Sequence, residues 1–173
     1  MTWRRGFAIV SPENPRMLLR RALLLCLVSL PMACAAPKEA ATPAPAMAFS
    51  PPLYPNETPE LRASINKWAD FYELPRSLVH RLAIRESTHR PWARNGPYWG
   101  LFQILPQTAR GMGFQGSNED LLEAEVNLKY ALKYLKGAYL VSEGNPDAAI
   151  MWYAKGYYYE AKRKGLLEET GLR

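Results

Sequence analysis

One acidic residue of this chain stands where a helix would not favour it. Pro75 can open a helix at its first turn, and Leu78, Val79, Leu82 and Ala83 then form an apolar stripe at helical spacing. Glu86 follows Leu82 by four positions and Ala83 by three, which places its carboxyl group on the inward face. It also lies near the helix C-terminus, where the macrodipole opposes a negative charge by about 0.3–1 kcal/mol. Both placements disfavour the ionised form and raise the pKa, and a carboxyl group kept protonated is a general acid. The alternative is a surface ion pair with Arg90 at i+4. Other groups that could do chemistry carry weaker patterns. His80 and His89 lack partners at metal-ligand spacing and read as solvated or capping residues. Asp70 and Glu73 form an ordinary pair near a helix end. The glycines of Gly111 to Gly116 follow no predicted strand, so they do not read as a phosphate loop.

Downstream of Glu86 come Ser87, the run Gly100-Leu101-Phe102-Gln103-Ile104 and the run Pro106-Gln107-Thr108-Ala109-Arg110. Asn127-Leu128 with Tyr134-Leu135, and Tyr153 with Gly156, complete an ordered set. This set resembles the lytic transglycosylases of the SLT type, which share the fold of the goose-type lysozymes. Phe102 stands where that family has Met, Ala131 where it has Gly, and Ala154 where its Ala-Tyr-Asn-Ala-Gly segment has an Asn that the resemblance implies helps hold both the loop and the sugar. The resemblance implies an all-α, lysozyme-like single helical domain that binds peptidoglycan glycan strands. It implies cleavage of the β-1,4 bond between N-acetylmuramic acid and N-acetylglucosamine with formation of a 1,6-anhydromuramoyl end. Glu86 would be the catalytic acid. Ser87 would hold its carboxylate or an acetamido group, Gln103 and the backbone near Gly100 and Leu101 would orient the sugar amides, and the Tyr153 hydroxyl would approach Glu86 or the sugar beside it. No metal or other cofactor is implied, and a monomer is expected. Two other readings stay open: a hydrolytic muramidase, with a second carboxylate from Glu119-Asp120 or Glu123-Glu125, and a non-catalytic wall-binding or assembly module.

The formal charge of +6 is unevenly spread over the 173 residues. Six basic and two acidic residues precede Glu57, while sixteen basic and fourteen acidic residues make up the rest. The globular part is thus close to neutral, which removes the main support for nucleic-acid binding. The excess sits around Arg20-Arg21, which precede a short apolar run ending at Ala33. That pattern is an export signal, with Met1 or Met17 as its start. Cys34 ends a segment similar to a bacterial lipobox, although Pro31 departs from it. Ala33-Cys34-Ala35 also fits the small-x-small pattern of ordinary signal cleavage, which stays open. A lipid on Cys34, anchoring the chain to the outer membrane on its periplasmic side, is the expectation from the lipobox-like segment. Cys26 and Cys34 are the two cysteines, so the globular part has no disulfide and no thiol nucleophile.

These features divide the chain into a signal segment at 1–34, a Pro/Ala-rich spacer at 35–58 that buries no core, and a catalytic domain at 59–173. Within the domain, Thr58-Pro59-Glu60 caps a first helix carrying Leu61, Ile65, Trp68, Ala69 and Tyr72 at helical spacing. The segment from Thr88 to Trp99, broken by Pro91, Asn95-Gly96 and Pro97, reads as a loop. Its Trp92, Tyr98 and Trp99 are candidates for a wall against sugar faces, as are Tyr157, Tyr158 and Tyr159. Further helices are expected from Pro106 to Gly111, from Leu121 to about Ser142, and from a cap at Asn145-Pro146-Asp147 to a stop at Gly165.

Overall fold

The computed structural model describes residues 51–173. The signal segment, Cys34 and most of the spacer lie outside the described residues. Six α-helices run in the order α1 (Pro59–Phe71), α2 (Arg76–Ser87), α3 (Pro106–Gly111), α4 (Ala124–Val141), α5 (Pro146–Lys155) and α6 (Tyr158–Lys164). Between α2 and α3 lies a small antiparallel hairpin of β1 (Arg94–Asn95) and β2 (Tyr98–Trp99), with Arg94 opposite Trp99. The fold is all-α and lysozyme-like apart from that hairpin. No helix among the described residues is long and apolar enough to cross a membrane.

The helix starts follow their capping residues. The Thr58 hydroxyl accepts the N–H of Leu61 at α1, and Asn145 accepts those of Asp147 and Ala148 at α5. Helix α4 is the centre of the packing and meets α1, α3, α5 and α6. Its Leu128, Ala131, Leu132, Leu135 and Ala138 are fully buried, one stripe at helical spacing, and Ile65, Leu78, Leu82 and Leu121 pack into the same core. Burying such side chains is the main source of stability in a domain without disulfides, at about 1.5–3 kcal/mol each.

Two expected helices are interrupted. Residues Asn118–Leu122 form a 3₁₀ turn with a capping box between Ser117 and Asp120, and Glu123 is extended before α4 begins. At the other end Gly156, with φ +85°, separates α5 from α6. The hydrophobic pattern runs through both breaks, so spacing alone did not mark them.

The end of the spacer also departs from expectation. The Glu57 side chain is fully buried, and its Oε2 accepts the Tyr54 N–H at 2.9 Å and the Arg62 guanidinium at 2.5 Å. Arg62 donates as well to the carbonyls of Pro51 and Pro52. Burial alone would raise the pKa of Glu57, but these hydrogen bonds, with the nearby His80, leave it lowered. The two histidines are neither solvated nor capping: His80 is buried and His89 is completely so. Burial holds both imidazoles below their ordinary range, only partly offset by the charge of Glu57.

Candidate active site

Helix α2 delivers Glu86 to the wall of a cleft of about 500 Å³. Thr88 and His89 adopt left-handed conformations, φ +53° and +58°, and their N–H groups close the last turn on Ala83 and Ile84. The Glu86 side chain is about one-fifth exposed, with Arg85 Nε 3.5 Å from its carboxylate. Burial pushes its pKa up, and Arg85 offsets this in part. Arg90 is not its partner, since its guanidinium donates to the Ser87 carbonyl at 2.8 Å. The structure places Glu86 half-buried at the cleft wall, with its pKa shifted upward as its inward position on the helix predicts.

The cleft is also lined by Arg85, Asn95, Tyr98, Gln103, Ile104, Leu105, Thr108, Tyr134, Tyr153, Ala154, Lys155 and Gly156. Glu86 is the only acidic residue lining it among the described residues. Gln103, with φ +46°, reaches the cleft, but its Nε2 donates to the carbonyls of Ala93 and Gly100 at 3.1 and 2.8 Å. Its amide nitrogen therefore holds the loop, and its amide oxygen is the end left for a ligand. Tyr153 donates its hydroxyl to the Phe102 carbonyl at 2.9 Å rather than to Glu86. It still borders the cleft close enough for the Glu86 charge to add to the effect of burial in raising its pKa. Tyr134, at the edge of Tyr153 with centroids 5.4 Å apart, presents a second phenol.

Ser87, Gly100 and Leu101 support the site from behind. The buried Ser87 hydroxyl donates to the Ala83 carbonyl and accepts the Arg90 N–H, and Ser87 is not among the residues lining the cleft. Leu101 is core. Gly100 has φ +74°, and a Cβ there would stand 2.1 Å from the Leu121 carbonyl and 2.2 Å from Asn127 Nδ2, a close approach only glycine allows. Asn127 ties this segment down. Fully buried, it accepts the Phe102 N–H at 2.9 Å and donates to the carbonyls of Trp99 and Leu121 at 3.0 and 2.8 Å.

Of the loop aromatics, only Tyr98 lines the cleft; Trp99 is core, and Trp92 is exposed away from it. Tyr157 is buried, its hydroxyl donating to the Tyr134 carbonyl at 2.9 Å, while Tyr158 and Tyr159 are exposed outside the cleft. Sequence reasoning did not single out Asn95, Thr108, Lys155 or the cleft-facing role of Tyr134. Asn95-Gly96 carried a turn signal, but nothing local marked Asn95 as lining the cleft that holds Glu86.

A family model described as the transglycosylase SLT domain matches residues 63–167, from α1 through α6. The chain belongs to the SLT transglycosylase family. Membership makes it an enzyme of the lytic-transglycosylase type that acts on peptidoglycan. No curated protein and no solved structure matches it. The match covers every element lining the cleft of this SLT domain, while the docked residues Tyr54 to Glu57 precede it.

Proposed function

We propose that the protein cleaves the β-1,4 bond between N-acetylmuramic acid and N-acetylglucosamine, leaving a 1,6-anhydromuramoyl end. A hydrolase of the two-carboxylate kind needs a second acid to serve as nucleophile or to activate water. The observation that carries the reading is that Glu86 is the only carboxylate lining its cleft among the described residues. The muramidase candidates lie elsewhere: Asp120 accepts the Ser117 N–H, and Glu125 is held at a pKa of about 2 chiefly by the Lys67 ammonium, with the Trp68 ring N–H also donating to it. Asp120, Glu123 and Glu125 all border a different hollow.

In the proposed reaction protonated Glu86 donates to the glycosidic oxygen as the C1–O bond breaks. The resulting carboxylate then takes the proton of the C6 hydroxyl of the same sugar. O6 bonds to C1, so no water is consumed and Glu86 ends protonated as it began. The acetamido group of the substrate stabilises the positive centre between the steps. The raised pKa of Glu86 suits the first step, and its partial exposure lets it ionise for the second. Asn95 and the Gln103 oxygen bind sugar amides or hydroxyls, while Tyr98 offers a ring face. The export-signal pattern and the lipobox-like segment support a periplasmic location for this activity, with a lipid on Cys34 as the proposed anchor. Fatty-acid labelling should tag the wild-type chain and miss Cys34→Ala; labelling of neither form would remove the anchor from the proposal.

Mass spectrometry of digested peptidoglycan tests the reaction. Anhydro ends are expected from the wild type and none from Glu86→Gln. Reducing ends would assign hydrolysis, and no cleavage would assign a binding module. A folded Glu86→Gln retaining a tenth of the turnover would overturn the role of Glu86, since that is a barrier change of only about 1.4 kcal/mol.

A further inference from the structure

Away from the residues lining the cleft, three ligating atoms converge below the surface. His80 Nδ1 lies 3.2 Å from His89 Nε2 and 3.5 Å from Glu57 Oε1, and the third side of the triangle is 4.0 Å. The surroundings fix the role of each atom. Asn66 Oδ1 lies 3.2 Å from His80 Nε2, so that nitrogen carries the proton and Nδ1 presents a lone pair to the cluster. The other Glu57 oxygen is occupied by Arg62 and the Tyr54 N–H, which turns Oε1 inward. Tyr54 stacks on the His89 ring at 5.0 Å and 5°, setting its orientation.

Protein hydrogen bonds alone do not satisfy this arrangement. One proton, on His89 Nε2, is available to the centre, and it can reach His80 Nδ1. Glu57 Oε1 is then left facing a lone pair, and it is fully buried with no hydrogen-bond partner among the described residues. The second orphan, His89 Nδ1, lacks a protein partner whichever nitrogen of that ring is protonated, so it does not distinguish the states.

We propose that Glu57, His80 and His89 bind a divalent transition-metal ion of the zinc class. The circle through the three atoms has a radius of about 2.1 Å, the length of a zinc–nitrogen or zinc–carboxylate bond. A small outward step of the ion makes the site tetrahedral, with a water as fourth ligand. Two imidazoles and one carboxylate favour zinc, cobalt or nickel over calcium or magnesium, which require more oxygen ligands. Arg62 withdraws charge from Glu57 and strengthens that preference for a nitrogen-bound ion. The ion would join the segment before α1 to the middle of α2 and to the residue that follows its C-cap. It would therefore clasp the end of the spacer onto the domain and brace the left-handed turn three residues beyond Glu86. This role is structural and does not depend on which bond the enzyme cleaves.

The test uses the full-length, untagged chain in a Cys26→Ser/Cys34→Ser background, stripped with chelator. The two histidines are the only ones in the sequence, which keeps competing sites few. Cobalt titration should give a visible absorption band of tetrahedral intensity, saturating at one ion per chain and displaced by zinc. Zinc should also raise the melting temperature. Glu57→Gln and His80→Gln should each abolish the band, and Asn66→Ala should weaken binding by about 10- to 100-fold by releasing the His80 ring. Circular dichroism checks that each variant folds. Should the ligand variants not fold, the wild-type titration and Asn66→Ala decide. No saturable cobalt or zinc binding by the wild type would overturn the proposal, as would affinity unchanged in folded variants.

Discussion

Replacing Asn127 with Leu tests whether one buried amide holds the loop that closes the cleft. Leucine keeps the volume and removes all three hydrogen bonds of the side chain. The Trp99 carbonyl keeps a second donor, the Ile104 N–H at 3.1 Å, so its loss is small. The Phe102 N–H and the Leu121 carbonyl have no other protein partner among the described residues. Each buried group left without one costs about 1–3 kcal/mol. Two such groups predict a loss of about 3–4 kcal/mol, near the upper end for a single substitution. In a domain of this size each kcal/mol lowers the melting temperature by about 3–5 °C, so a drop of about 10–15 °C is expected in thermal unfolding followed by circular dichroism. Turnover, measured where both proteins are folded, should fall at least about tenfold, because the segment that sets Gln103 and the acceptor of Tyr153 shifts. A drop below about 4 °C, or an unchanged turnover, would refute the assignment of the loop to Asn127.

Gly100→Ala should cost more than about 3 kcal/mol, since a Cβ meets main-chain and buried amide atoms at φ +74°; a melting temperature within about 3 °C of wild type would contradict the close approach. Tyr153→Phe orphans the Phe102 carbonyl and should lower the melting temperature by about 4–8 °C, a cost of about 1–2 kcal/mol, with less than a tenfold change in turnover. A larger kinetic loss at unchanged stability would place that hydroxyl on the reacting sugar instead. Glu86→Gln should melt above wild type at neutral pH. The raised pKa means that the folded state favours the protonated acid, a contribution present below the ordinary carboxylate value of 4.5 and lost as pH rises through the raised one. The gap should close at about pH 4, and a variant less stable than wild type at pH 7 would count against burial as the cause. Asn95→Ala should raise KM by about two- to tenfold with little change in kcat, as expected for one hydrogen bond made equally in ground and transition states; an unchanged KM would remove Asn95 from the binding residues.

What could be read in the sequence was local. Glu86 was legible because its departure from the polar face is measured against Leu82 and Ala83 on the same helix. The starts of α1, α3 and α5 were legible because Thr58, Pro106 and Asn145-Pro146 act within one turn. Contacts between distant segments left no such trace. His80 and His89 are both assigned to the core by Glu57, a residue counted as spacer, and no spacing rule links a side chain in front of α1 to two imidazoles around α2. The Tyr153 hydroxyl meets a main-chain carbonyl at Phe102, and any residue has a carbonyl. Ser87 was read forward, toward the carboxylate beside it, whereas a helical serine can also bond back to the carbonyl four residues earlier, and Ser87 bonds to Ala83.

The departure at Ala154 separates two duties that the resemblance assigns to one asparagine. Holding the loop does not require it here, because Asn127 bonds both sides of Gly100-Leu101 and Tyr153 bonds the next carbonyl. Asn95 of the hairpin brings an amide into the same cleft, where it is the proposed contact with the sugar. Lys155, beside the small Ala154, adds a cation to that of Arg85 against the single charge of Glu86. The globular part is nearly neutral, so this local excess is a property of the cleft rather than of the surface as a whole. It suits a glycan that carries carboxylates on its peptide stems, or on the free lactyl groups where stems are absent. Arg85 offsets in part the rise that burial imposes on the Glu86 pKa, which favours the ionised form that the proposed second proton transfer needs.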